Sequence, residues 1–117
     1  MESFKIKEKI YDAILYISPA LTQFPKSEKY VLANKIRESA YKMFELSVRI
    51  EKKYYKKTTL QELDVELDVL RHLIRLAADK KLYPNQAPCL PFKKYEHMAK
   101  LLDEIGRMIG GYIKSTQ

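Results

Sequence analysis

The chain has 117 residues, the size of a single domain (residues 1–117) able to bury a core without disulfide or metal staples. Its hydrophobic fraction of 46% and charged fraction of 32% are ordinary for a globular protein. No apolar run approaches the roughly 18 residues of a membrane span. Lys and Arg number 22 against 15 Asp and Glu, a net charge of +7 that points to a polyanion or an acidic protein as partner. Cys89 is the only cysteine, so no intramolecular disulfide can form, which fits a reducing, cytoplasmic setting. No signal peptide is expected, because Asp12 interrupts the apolar run after the first lysines.

In chain order, apolar spacing predicts four helices. The first covers about Phe4 to Leu21, with a stripe of Ile6, Ile10, Ile14, Ile17 and Leu21. Pro19 lies inside it, and Leu21 continues the stripe, so a kink is expected there rather than a stop. "TQFPKS" makes a turn with Ser27 as the expected N-cap. The second helix covers about Glu28 to Tyr55 on the stripe Leu32, Ile36, Ala40, Met43, Ser47 and Ile50. The third begins at "TTLQE", where Thr59 and Glu62 have capping-box spacing. It runs to about Lys81 on Leu60, Leu63, Leu67, Leu70, Ile74 and Ala77. "YPNQAPCLP", residues 83–91, holds three of the five prolines and reads as a loop. The fourth helix covers about Phe92 to Lys114, with Met98, Leu102, Ile105, Ile109 and Tyr112 facing inward. There is no strand-like alternation and no internal repeat, so the fold class is all-α, an antiparallel up-and-down four-helix bundle.

The third helix carries a second apolar stripe, Val65, Val69, Leu73 and Leu76, away from the first. In a bundle without a central helix, such a stripe is expected at a subunit interface. Phe4, Tyr11 and Leu15 lie off the core stripe of the first helix in the same way. The three glycines, Gly106, Gly110 and Gly111, all fall in the fourth helix, where each costs roughly 1 kcal/mol against Ala. Ala99, Gly106 and Gly110 share one narrow sector, a seam of small residues that would let a neighbouring backbone approach closely.

On the second helix Lys35, Lys42, Arg49 and Lys56 recur every seven residues and, with Lys53, predict a basic edge. Tyr30, Tyr41 and Tyr55 are expected in an adjacent sector, a combination suited to phosphate contact and base stacking. Asp103 and Arg107 have the i,i+4 spacing of a surface ion pair. No chemistry is legible. Glu62, Asp64, Glu66 and Asp68 alternate between two sectors, and His72 and His97 lack ligand-spaced companions. The glycines form no phosphate loop. No catalytic residue, metal site or cofactor is expected.

Three stretches, "YDAILYISPALTQFPKSEKYVLANKI", "LDVLRHLIRLAADKKL" and "LLDEIGRMIGGYIK", make the chain resemble the accessory variability determinant (Avd) proteins of diversity-generating retroelements. "DEIGRMIGGYIK" is the most specific, and the resemblance spans nearly the whole chain in order. The related bundle proteins of ribosomal RNA intervening sequences carry an "NIAEG"-like segment after the second helix. This chain has "KMFELSVRIEKKYYKK" there, which favours the Avd likeness over that alternative, a structural bundle with no polymerase partner. The resemblance implies a ring-shaped homopentamer of four-helix bundles. It implies binding of the retroelement's reverse transcriptase and template RNA, and no catalysis by the accessory protein itself. Arg71, Arg75 and Arg107 are the arginines that match. The chain departs from the pattern in its longer, proline-rich 83–91 loop and in Tyr112, where Trp is common.

Overall fold

A computed structural model describes residues 2–115. Within them the chain forms α1 (Glu2–Leu21), α2 (Lys26–Lys29), α3 (Leu32–Lys52), α4 (Lys57–Ala78) and α5 (Phe92–Ser115), with no strand among the described residues. α1 packs on α3 and α5, and α4 packs on the same two, so the four long helices stand at the corners of a square with α1 and α4 on its diagonal. The turns between α1 and α3 and between α3 and α4, and the return of Leu90 to Ala77 at the end of the longer 79–91 segment, make the bundle antiparallel, 50 Å long and 21 × 20 Å across.

The core follows the predicted stripes. Ile6, Ile10, Ile17, Ile36, Met43, Leu63, Leu67, Leu70, Met98, Leu102 and Ile105 are all buried in one cluster. Two positions differ. Ile14 and Tyr112 are only half-buried, while Ala13 and Ala20 are enclosed. The inner line of α1 is Ile6, Ile10, Ala13, Ile17 and Ala20, which turns Ile14 toward the flank.

The end of α1 at Leu21 and the start of α5 at Phe92 fall where expected, and the helix ends between them depart from expectation, each for a local reason. α1 extends through Pro19 to Leu21, and the Pro19 carbonyl accepts both the backbone N–H and the hydroxyl of Thr22. Ser27 is not an N-cap. Pro25 holds that position for the single-turn α2, and Ser27 is an exposed residue within it. The expected second helix therefore begins later, at Leu32, after a break at Tyr30 and Val31. The carboxylate of Glu28 caps α3 from four residues upstream by accepting the Leu32 N–H at 3.4 Å. The expected capping box at Thr59 does not form either. α4 starts at Lys57, and buried Thr59 instead accepts a hydrogen bond from Lys53 Nζ at 2.9 Å. α4 stops at Ala78, three residues short of expectation, because Asp79 is extended and its carboxylate accepts the Lys81 N–H.

Residues 79–91 are irregular but anchored. Leu90 N–H returns to the Ala77 carbonyl at 3.0 Å, Cys89 and Leu90 are buried, and the Tyr83 hydroxyl donates to Glu28. Accepting that bond, Glu28 raises the Tyr83 hydroxyl above the usual phenol range, and burial pushes the Cys89 thiol up. Glu28 thus joins α2, the start of α3 and the proline-rich segment at one end of the bundle.

Candidate nucleic-acid and partner interface

The two flanks of α4 are the chain's most distinctive surfaces. The flank toward α5 holds a groove of about 310 Å³, lined among others by Asp68, Arg71, His72, Arg75, Tyr95 and Asp103. Arg71 is committed within it. Its Nη2 donates to the Leu102 carbonyl at 3.3 Å and pairs with Asp103 at 3.4 Å. The expected Asp103–Arg107 pair does not form, because Arg71 of the facing helix reaches Asp103 instead. His72 Nδ1 donates to the Asp68 carbonyl at 2.7 Å, one turn back on its own helix. Arg75 and Arg107 are exposed and make no side-chain hydrogen bond or ion pair, which leaves two guanidiniums available to an outside anion.

This arrangement answers the question raised by the glycines. A Cβ at Gly106 would lie 2.5 Å from Arg71 Nη2 and 3.3 Å from Leu67 Cδ2. What approaches the glycine is thus the guanidinium of α4, not a neighbouring backbone. Arg71 reaches the Leu102 carbonyl by lying across the space that a side chain at 106 would fill. Gly110 has open space around it within the chain, and Ala99 is a half-buried wall of the α4/α5 groove. The predicted seam therefore divides into one position where the Arg71 guanidinium takes the space of a side chain and one that the single chain leaves uncovered.

The flank of α4 toward α3 is different. Two adjoining hollows of about 390 and 330 Å³ run along it. Val65, Val69 and Leu73 line them from α4, and Lys35 and Lys42 line them from α3. Val65 is 64% exposed, and Val69 and Leu76 are also exposed; Leu73 is half-buried. The predicted oligomer stripe and the first two residues of the predicted basic edge are therefore one surface. Glu66 at its floor is taken by Ser39, whose hydroxyl donates to the carboxylate at 2.7 Å. The side chains of Lys35 and Lys42 make no hydrogen bond or ion pair among the described residues.

The rest of the predicted basic edge breaks up where α3 ends at Lys52. Lys53 is drawn to Thr59, and Lys56 turns back to donate to the Ile50 carbonyl at 2.8 Å, satisfying one of the last acceptors of α3. Of the last three, only Arg49 stays on the helix, exposed and with no side-chain partner among the described residues. The expected aromatic companions also separate from the lysines. Tyr30 and Tyr55 lie outside α3, and Tyr41 shares a face with Phe44, three residues on. Phe44 meets Tyr11 of α1 with ring centroids 5.9 Å apart. Of the three tyrosines, Tyr41 therefore belongs to the α1/α3 side of the helix, not to the lysine side. Sequence reasoning had no signal for this division, since it depends on which neighbour each side of α3 meets.

Among the described residues no cluster of His, Cys, Asp or Glu could hold a metal ion, and no helix is long and apolar enough to cross a membrane. The grooves carry charges of both signs beside apolar walls: Asp68 and Asp103 on the α5 side, and Glu38, Glu62 and Glu66 beside the lysines on the α3 side. No curated protein matches the chain. The family model described as bAvd-like matches residues 4–116, which takes in all four long helices and the α4/α5 arginines. The chain belongs to the bAvd-like family.

Proposed function

We propose that this chain is a non-catalytic accessory subunit that binds the reverse transcriptase and template RNA of a diversity-generating retroelement and supports its mutagenic cDNA synthesis in the cytoplasm. Membership of the bAvd-like family over residues 4–116 is the observation that carries this reading. The net charge of +7 supports it, as do three exposed arginines, Arg49, Arg75 and Arg107, that the fold does not consume. The protein acts as a homo-oligomer, a pentamer by the family resemblance, in which symmetry multiplies the charge of each chain into a strong field. That field speeds and tightens association with RNA. Arginine suits the task because its planar fork grips phosphate with two hydrogen bonds. Contacts of this kind position RNA without reading its sequence.

RNA affinity across a salt series, measured beside reconstituted cDNA synthesis, tests the reading. Wild-type affinity should fall linearly on a log–log plot, with a slope of about 0.7 per single-strand phosphate neutralised. Arg49→Ala, Arg75→Ala and Arg107→Ala together should flatten that slope and lower cDNA yield while the oligomer persists. Unchanged RNA affinity and unchanged cDNA yield in the triple variant would defeat the assignment of these arginines. A wild type that neither binds RNA nor supports synthesis would defeat the reading as a whole.

A further inference from the structure

Residues 49–57, "RIEKKYYKK", close α3, make the turn and open α4. They place Arg49, Lys52, Lys53, Lys56 and Lys57 at one end of the bundle beside a single acid, Glu51. Glu51 is held by Lys7 of α1 at 3.2 Å, so it does not offset the five cations. Glu45 and Glu62 lie more than a turn away along α3 and α4. Lys53 and Lys56 donate to neutral oxygens, the Thr59 hydroxyl and the Ile50 carbonyl, which fixes their positions and leaves their charges uncancelled. Those bonds, with the Lys53 N–H on the Arg49 carbonyl at 3.0 Å, hold a turn that contains neither glycine nor proline. On it stand Tyr54, 88% exposed, and Tyr55, 84% exposed. Their rings meet edge to face, with centroids 4.9 Å apart and planes at 83°. Each braces the other, and at such exposure each keeps an open face to solvent. Rings so placed bury little in the core, and small polar residues would make the turn as well.

We propose that this end of the bundle is a stacking platform for unpaired bases of RNA. Tyr54 and Tyr55 take bases on their open faces, while Arg49, Lys52, Lys53 and Lys57 hold the phosphates on either side. Every base has a π-face, and aromatic rings set among cations hold single strands with little regard to sequence. A duplex stacks its bases on one another and offers this end only its phosphates. Charge alone would favour the denser phosphates of a duplex, so the rings are what selects unpaired RNA. RNA suits the site better than a lipid surface, because residues 51–58 carry no aliphatic side chain to insert among acyl chains. The inference rests on the RNA binding of the proposed function and adds where unpaired bases sit. A template must be unpaired where it is copied, which is the form of RNA this platform retains. The site lies at an end of the bundle, so contacts between copies through the flanks of α4 would leave it open.

Probes that differ in base exposure test the platform. Affinity of the full-length protein is measured for a single-stranded oligoribonucleotide without self-pairing, for the duplex with its complement, and for an abasic ribose-phosphate strand of the same length. The single strand should bind more tightly than either of the others. Tyr54→Ala with Tyr55→Ala should weaken single-strand binding roughly tenfold per stacked base. The salt slope should stay as in wild type, since no phosphate contact is lost. The same double change should leave affinity for the abasic strand untouched. Tyr54→Trp with Tyr55→Trp should keep the wild-type affinity for the single strand. Both rings are exposed, so every variant should melt as the wild type does. An alanine variant that binds the single strand as wild type does overturns the platform, and so does an equal loss on the abasic strand. Phosphatidylserine vesicles supply the lipid arm: vesicle binding that needs the tyrosines, beside single-strand binding that does not, assigns this end to a membrane and overturns the proposal. A wild type that binds none of the RNA probes overturns the RNA binding of the proposed function itself, and the platform with it.

Discussion

The two flanks of α4 carry similar ingredients, cations and aliphatic side chains, but use them in opposite ways. On the α5 side Arg71 is spent inside the fold, held by the Leu102 carbonyl and Asp103, over a glycine that leaves room for it. On the α3 side the side chains of Lys35 and Lys42 have no partner among the described residues and stand over exposed valines. A positive charge therefore marks an outward-looking surface only once its internal partners have been counted. Arg71 and Arg75 lie one turn apart on one helix, yet only Arg75 remains available to a ligand.

The largest expected effect lies on the α3 side. Val65→Glu with Val69→Glu adds two charges to an exposed face, so folding stability should change by no more than about 0.5 kcal/mol per site. Assembly should be lost. Light scattering that returns the wild-type mass would mean that this face is a bare surface.

The next effect lies on the α5 side. Gly106→Leu would strike both Arg71 and Leu67, and overpacking of this kind costs about 1–3 kcal/mol. Gly106→Ala should be close to neutral, because the displaced guanidinium is the end of a flexible side chain and alanine regains about 1 kcal/mol of helix propensity. In an Arg71→Ala background the same Gly106→Ala change should become stabilising by about that amount. A double-mutant cycle by urea melting checks this, and additive effects would mean that the glycine does not serve the arginine.

Gly110→Ala provides the contrast. With open space around it, the chain alone should gain up to about 1 kcal/mol in helix stability. A loss of mass in solution on this change would instead reveal a neighbouring subunit at that position.

The smallest effect concerns the anchored end of the bundle. The Tyr83 phenol has a raised pKa in the folded state, so its bond to Glu28 contributes stability that is full below the ordinary value of 10.0. That contribution is lost as pH rises through the raised value. Tyr83→Phe should therefore lower the melting temperature at neutral pH, and the gap from wild type should close at alkaline pH. A gap independent of pH would mean that the ring's packing, not the hydroxyl, anchors the segment.

Much of this architecture is legible in the residues themselves. Four long helices and nearly all the buried positions follow from apolar spacing, because a helix presents every third or fourth residue to the same side whatever it packs against. The family likeness was legible too, in "DEIGRMIGGYIK" above all, and the family match spans residues 4–116. The helix ends between Leu21 and Phe92 were not. Ser27 and Thr59 have the chemistry of caps, but Pro25 and Lys56 take the positions before α2 and α4, and a side chain four residues upstream caps α3.

The charged residues divide along the same line. The sequence by itself determined the helices, their inner faces, the basic balance and the presence of surplus apolar stripes, since each depends only on residue type and helical period. Tertiary structure decided that Arg71 has partners within the chain and Arg75 does not, and that Lys53 and Lys56 serve the α3–α4 turn. It also decided that the lysines of α3 face α4 while its aromatics face α1. Those facts depend on which helix stands beside each flank. A hydrogen bond across 31 residues, such as that of Arg71 to the Leu102 carbonyl, leaves no periodic trace in the sequence of either helix.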